Sequence, residues 1–294
     1  MRLTAFTLPH TLFPLEAQSR RKQLEDALEP FLNFEEAREA ERIDLERVHT
    51  PEYLEKLFGP GLNRQEALRL GLSWTPEVLP RALCSTGGTV QAGEYALEYG
   101  LGLHLGGGTH HAYPDHAEGY SLFNDVAVAV AKLRARGDFR RVLTVDLDVH
   151  QGNGTAVCLE RDPHSFTFSM HGANNYPFVK AKSSLDVELP DNTDDAAYLE
   201  QLNGALEQAF AFRPELVFYI AGIDVLGGDR KGRVNLTLEG LRSREAQVYA
   251  RVKAAGAALV VVLGGSYNGD FGLSLAARVQ TYRMAVEMLG GSSG

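Results

Sequence analysis

The chain has 294 residues, 44% of them hydrophobic and 23% charged, which is enough apolar mass for one large α/β domain with a sizeable core. Its formal net charge of -9 presents no basic face to neutralise phosphates, so direct nucleic-acid binding is not expected, and the acidity reads as serving solubility. The amino terminus lacks a basic segment followed by a long apolar one, and no apolar run approaches the ~18 residues of a membrane span, so neither a secretory leader nor a membrane anchor is expected.

Helical spacing is read first over Glu16–Asn33, then over the Glu-, Ala- and Arg-rich stretch Asn33–Arg47, then over the small and apolar residues Arg81–Tyr99. From residue 101 a regular alternation begins. Short apolar strands are expected at Leu101–Leu105, Val142–Leu147, Ser165–Met170, Leu216–Ala221 and Ala258–Leu263. Helices are expected at Asp125–Arg136, Gly154–Glu160, Asp195–Phe212, Glu239–Ala254 and Leu273–Leu289. Strands alternating with helices imply right-handed βαβ units and a mainly parallel sheet with helices on both faces, a three-layer α/β sandwich. One domain is expected over 1–289, with Gly-Gly-Ser-Ser-Gly at 290–294 as a flexible tail. Cys84 and Cys158, among small and apolar neighbours and outside any CxxC pair, read as free thiols of a reducing, cytoplasmic compartment.

The residues just past the strands are unusual. The first of the five strands leads into Gly106-Gly107-Gly108-Thr109-His110-His111. The second carries Asp146 and runs into Asp148-Val149-His150. The third bears Ser169, Met170 and His171, the fourth leads to Asp224, and the fifth to Gly264-Gly265-Ser266-Tyr267. A parallel sheet gathers these carboxyl ends on one edge, where ligands bind in open α/β folds. Asp148 and His150 share a side of an extended segment, and with Asp224 they make a three-ligand set of the kind zinc accepts while keeping a position open. Read alone, DxDxH also suits helix caps and turns. Asp146, on an otherwise apolar strand, needs a partner, which one of the tandem histidines or the loop amides could supply. The Tyr267 phenol could donate to a developing oxyanion, or simply cover the sheet edge.

The segments GGGTHHAYPDHAEGYSLFND, VDLDVHQGNGT, FSMHGANNYPF, YIAGIDVLGGDRKG and LGGSYN occur in this order. Through them the chain resembles the zinc-dependent histone deacetylase superfamily from about Phe13 to Leu289. It looks closest to bacterial class IV-like members of the acetoin-utilisation type. The resemblance implies the arginase/deacetylase type of α/β fold. It implies Asp148, His150 and Asp224 as ligands of Zn2+, with Fe2+ as an alternative. His111 would be general base and acid, His110 its electrostatic companion backed by Asp146, and Tyr267 the oxyanion donor. Gly119, Tyr120 and Tyr176 would line an acyl-lysine tunnel. A structural K+ would sit among Asp146, Asp148, His150, Ser169 and Met170. Two departures stand out. Asn153 occupies the position of the Asp partner used by class I members, which makes its pairing with His111 neutral, and Ser266 replaces a glycine beside Tyr267. A two-metal ureohydrolase is set aside because Gly222–Asp229 lacks the extra ligand. The expected activity is removal of an acetyl or longer acyl group from acetyl-lysine or an acetylpolyamine. The alternative is a non-catalytic acyl-lysine-binding module on the same fold.

Overall fold

The computed structural model describes residues 2–290; of the expected tail, 291–294 lie outside the described residues. Eight strands form one sheet: β1 (Leu3–Thr7), β2 (Leu32–Glu36), β3 (Leu101–His104), β4 (Val142–Asp146), β5 (Ser165–Gly172), β6 (Leu185–Leu189), β7 (Leu216–Ala221) and β8 (Ala258–Leu263). Their order is β2-β1-β3-β8-β7-β4-β5-β6, and every pairing is parallel. The five strands expected from the sequence are the five contiguous ones β3-β8-β7-β4-β5, so their carboxyl ends stand side by side.

These central strands are apolar on both faces because both faces are covered. Along β7, Val217, Tyr219 and Ala221 enter one core and Leu216, Phe218 and Ile220 the other, while β8 divides in the same way. The first core is closed by helices α1 (Leu15–Leu28), α8 (Asp195–Phe210), α9 (Leu238–Ala255) and α10 (Phe271–Leu289). The second is closed chiefly by α5 (Val78–Tyr99) and α6 (Asp125–Ala135), with α3 (Pro51–Phe58) at its edge. Each fully buried Val, Leu or Phe in such layers contributes roughly 1.5–3 kcal/mol, so the sheet is a stiff platform for whatever its ends carry.

The helix expected over Asn33–Arg47 is not there. Leu32–Glu36 is the edge strand β2, and only Arg42–Leu45 (α2) turns helical. Strands β1, β2 and β6 were likewise not expected. The edge strands β2 and β6 pair on one side only and bury little, so they lack the continuous apolar run of the central strands. The remaining helices are α4 (Arg64–Leu70) and α7 (Asn153–Leu159).

Candidate active site

The loop after β3 is held in place by its own glycines and by one carboxylate. Gly108 has φ 69°, and a side chain there would collide with the Leu263 carbonyl at the end of β8, so only glycine fits. Asp125, at the start of α6 and fully buried, accepts from the amides of Gly108 (3.0 Å) and Thr109 (2.8 Å) and from the Thr89 and Thr109 hydroxyls. Asn124 caps the same helix through Ala127 N–H and donates to the Ala112 carbonyl. The sequence Asn124-Asp125 thus fixes the two histidines from behind.

The histidine rings lie 4.1 Å apart and both are buried. His110 Nδ1 meets Asp146 Oδ2 at 2.6 Å, and His111 Nδ1 meets Asn153 Oδ1 at 2.6 Å. Burial opposes charge on both rings. For His110 the fields of Asp146 and Asp148 win, pushing its pKa up to about 9. For His111 burial is reinforced by the charge of His110, which holds it well below the usual histidine range.

Asp148, His150 and Asp224 converge at the ends of β4 and β7, all buried, with one donor atom of each within 4.8 Å of the others. His150 Nδ1 lies 2.8 Å from Asp148 Oδ1 and 3.1 Å from Asp224 Oδ2. The remaining oxygens are steered by backbone: Gly265 N–H donates to Asp148 Oδ2, and Val149 N–H to Asp224 Oδ1 at 3.0 Å. Gly265 must be glycine, because a Cβ would run into Asp224 Oδ2. Below the cluster, the buried Arg244 guanidinium donates to the carbonyls of Leu147 (3.1 Å) and Gly222 (2.7 Å), each close in sequence to a carboxylate of the triad, and is itself paired with Glu245. Nothing in the local sequence of α9 marks this arginine as a support for the site.

A divalent ion fits these residues. Asp224 Oδ2 is buried without a well-formed hydrogen bond. The Asp224 carboxyl is pushed up to about 6, by burial and then by Asp148 beside it. His150 is pushed up to about 10; burial opposes this, but the two carboxylates prevail. The three side chains together are short of positive charge, which an ion of charge +2 would supply.

His110, His111, Asp148, His150 and Tyr267 open onto one pocket with Gly119 and Tyr120. Tyr176 joins His111, His150 and Tyr267 in the wall just outside it. Tyr267 stands edge-on to His150, ring centroids 6.0 Å apart, and its phenol stays protonated because burial and then Asp148 and Asp224 raise its pKa. Asp146 and Asn153 lie behind the histidines. Ser169 pairs with Asp146 in the ladder between β4 and β5, and the Met170 side chain belongs to the core, leaving its backbone to face other partners. Ser266, noted in the sequence as replacing a glycine beside Tyr267, lines a cavity together with Arg20 and Arg278.

Besides Arg244, two contributors escaped the sequence reading. Glu118 Oε1 accepts from Asn153 Nδ2 (2.9 Å) and from the Tyr176 hydroxyl (2.5 Å), placing a carboxylate behind the neutral partner of His111. Helix α4 supplies one wall of the pocket through Arg69, Leu70 and Gly71, because the left-handed turn Gly119-Tyr120 bonds back to the carbonyls of Arg69 and Leu70.

Comparison with known proteins places the chain in a family. Residues 14–282 match the histone deacetylase domain family. An uncharacterised protein of Picosynechococcus sp. is 43% identical over 77% of the chain and 76% of its own length. Histone deacetylase 2 of Arabidopsis thaliana is 32% identical over 78% of the chain and 62% of its length. Acetoin utilization protein AcuC of Staphylococcus aureus is 30% identical over 57% of the chain, and the match spans 46% of that protein. The solved HDA15 HD domain superposes with a TM-score of 0.77 over 97% of this chain and 89% of that one; at 24% identity it bears on the fold alone. The chain belongs to the histone deacetylase domain family.

Proposed function

We propose that this protein is a zinc-dependent amidohydrolase that removes an acetyl or longer acyl group from an N-acylated amine. One observation carries the reading: His111 is a buried neutral imidazole whose Nδ1–H is held by Asn153, which leaves Nε2 as an acceptor in the pocket that Asp148, His150 and Tyr267 share. A purely structural histidine pair has no need of that arrangement.

Asp148, His150 and Asp224 would hold a single Zn2+, and ferrous iron suits the same donors. When bound, the ion polarises the acyl carbonyl and makes water acidic enough to react near pH 7. His111 Nε2 takes a proton from the attacking water as the new C–O bond forms. It then returns that proton to the amine nitrogen as the C–N bond breaks, giving a carboxylic acid and a free amine, which separate as carboxylate and ammonium. His110, kept protonated by Asp146, stabilises negative charge nearby, and the Tyr267 phenol donates to the carbonyl oxygen as it becomes an oxyanion. Gly119, Tyr120 and Tyr176 would line the tunnel for the acyl-bearing chain. A K+ ion is proposed among backbone oxygens of Asp146, Asp148, His150 and Met170 with the Ser169 side chain, supported by the adjacency of the β4 and β5 ends.

No described helix is long and apolar enough to cross a membrane. A cytoplasmic setting is proposed on the two free cysteines, which suit a reducing compartment. The test is turnover of acetyl-lysine peptides by the purified protein, with and without a chelator, alongside elemental analysis. Tyr267→Phe should keep its metal and lose roughly a hundredfold or more in kcat. Undiminished activity in that variant would remove Tyr267 from the chemistry, and no turnover of any acyl amide by a zinc-loaded wild type would favour a binding module.

A further inference from the structure

The mouth of the pocket is cationic although the protein is acidic overall. Lys231 and Arg69 line it, and no Asp or Glu does. The Lys231 ammonium lies 4.2 Å from the ring centroids of both Tyr120 and Tyr267 and donates to the Tyr120 hydroxyl. Among the described residues, no carboxylate pairs with Lys231 or Arg69. The acidic residues around them are engaged elsewhere: Glu118 accepts from Asn153 and Tyr176, Asp229 accepts from three backbone amides, and on the Arg69 side Glu66 pairs with Lys56 and the Asn63 amide while Asp115 pairs with His116.

The backbone that presents Lys231 is built. Asp229 Oδ1 receives Lys231 N–H (2.8 Å), while its Oδ2 receives Tyr267 N–H (2.7 Å). Arg230 Nε donates to the Tyr267 carbonyl at 3.2 Å, and Asn175 donates to the Lys231 carbonyl at 2.6 Å. The turn carrying Lys231 is therefore fastened to the turn carrying Tyr267. An ammonium fixed between two aromatic faces, with spare donors and no anion of its own, is a receptor for one.

We propose that Lys231, assisted by Arg69, selects N-acyl amines that carry a carboxylate, such as a free acyl-amino acid or an acyl-lysine at a chain end, and disfavours cationic acylpolyamines. This rests on the deacylase reading above and narrows its substrate class. The carboxylate would lie at the mouth while the acyl amide reaches the metal ligands. Solvent screening limits an exposed pair of this kind to a modest preference, which charge reversal should enlarge.

The experiment uses matched substrates. One peptide ends in acetyl-lysine with a free carboxylate, its twin is amidated, free acetyl-lysine reports the small-molecule case, and N-acetylputrescine supplies the cation. Wild type should favour the free acid over the amide by about three- to fivefold in kcat/KM, and the ratio should shrink as salt is raised. Lys231→Met should bring the ratio near one, and Lys231→Glu should invert it and improve N-acetylputrescine relative to the acid. Equal ratios in wild type and Lys231→Glu would overturn the proposal. Calorimetric titration with the same acid and amide pair reads the preference without turnover. If no substrate is hydrolysed yet the acid binds more tightly in wild type than in Lys231→Glu, the selectivity stands and the deacylase reading fails. If neither turnover nor binding tells acid from amide, the selectivity fails.

Discussion

His110 and His111 are neighbours in the chain, both buried and with rings 4.1 Å apart, but the strand β4 side of their loop gives one a carboxylate while the α7 side gives the other an amide. The ionic partner drives His110 up to about 9, and the neutral one leaves His111 below its ordinary range. Two buried imidazoles this close cannot both be charged cheaply, so protonating one keeps the other free to accept a proton. In the mechanism proposed above, the division of labour between a fixed cation and a mobile-proton base therefore arises from what stands behind each ring rather than from the rings themselves.

The largest expected effect tests that division directly. His111→Ala should lower kcat on an acetyl-lysine peptide by about 10²- to 10⁴-fold, the usual worth of a general base. His110→Ala should cost less and should move the acid limb of kcat/KM up toward pH 6.5, because the charge that suppresses His111 is gone. The reverse ranking, with His110→Ala the more damaging and no shift of the limb in either direction, would exchange the two roles.

A third buried histidine sharpens the contrast, since it has no ionic partner and lies away from the candidate metal ligands. His49 Nδ1 faces the Tyr113 carbonyl at 3.1 Å and its Nε2 accepts from Asn124 N–H at 3.2 Å, a pattern only the neutral ring can satisfy. Burial lowers its pKa to about 4. Because the folded value is depressed, the stability it contributes is present above pH 6.5 and is lost progressively as pH falls toward 4, on the order of 3 kcal/mol. His49→Asn, which can still donate and accept, should flatten that decline in thermal melts taken between pH 7 and pH 4. An unchanged slope would show that other groups govern acid unfolding.

Next in size is conversion of the neutral partner into an ionic one. Asn153→Asp should raise the His111 pKa by roughly one to three units, as an opposite charge at contact distance does. The working form is the neutral ring, so a higher pKa protonates it at pH values where wild type is active, and the acid limb of kcat/KM should move up. A limb that stays put would mean that the group titrating in that profile is not His111.

How much of this was legible in the sequence differs along the chain. The strands β3, β4, β7 and β8 announced themselves because buried strands demand unbroken apolar runs, and their polar residues sat just past the ends, so the candidate metal ligands and the tandem histidines could be read as one rim. Strand β2 was mistaken for helix because an edge strand can be as charged as LNFEE. Glu118 and Arg244 were invisible for another reason. Glu118 comes from a loop whose left-handed turn folds it back onto Asn153, 35 residues away, and Arg244 reaches under the sheet from a helix whose local pattern is that of a surface. Contacts that depend on a loop's return or on a long side chain's reach leave no periodic trace.

The smallest effect concerns Glu118 and separates a positioning carboxylate from a mere wall residue. Its Oε1 accepts from Asn153 Nδ2, which turns the amide so that Oδ1 faces His111, and this in turn requires the proton to sit on His111 Nδ1. Glu118→Gln keeps the size but removes the charge. Hydrogen bonds to a charged acceptor exceed neutral ones by about 1 kcal/mol, so kcat should fall roughly fivefold. Removing a negative charge behind the relay should also move the acid limb slightly to lower pH, opposite to Asn153→Asp. Combining the two substitutions should give a non-additive loss, because both act through one chain of hydrogen bonds. A fivefold loss with an unmoved limb and full additivity would reduce Glu118 to a support for Tyr176 and leave the amide of Asn153 oriented by other means.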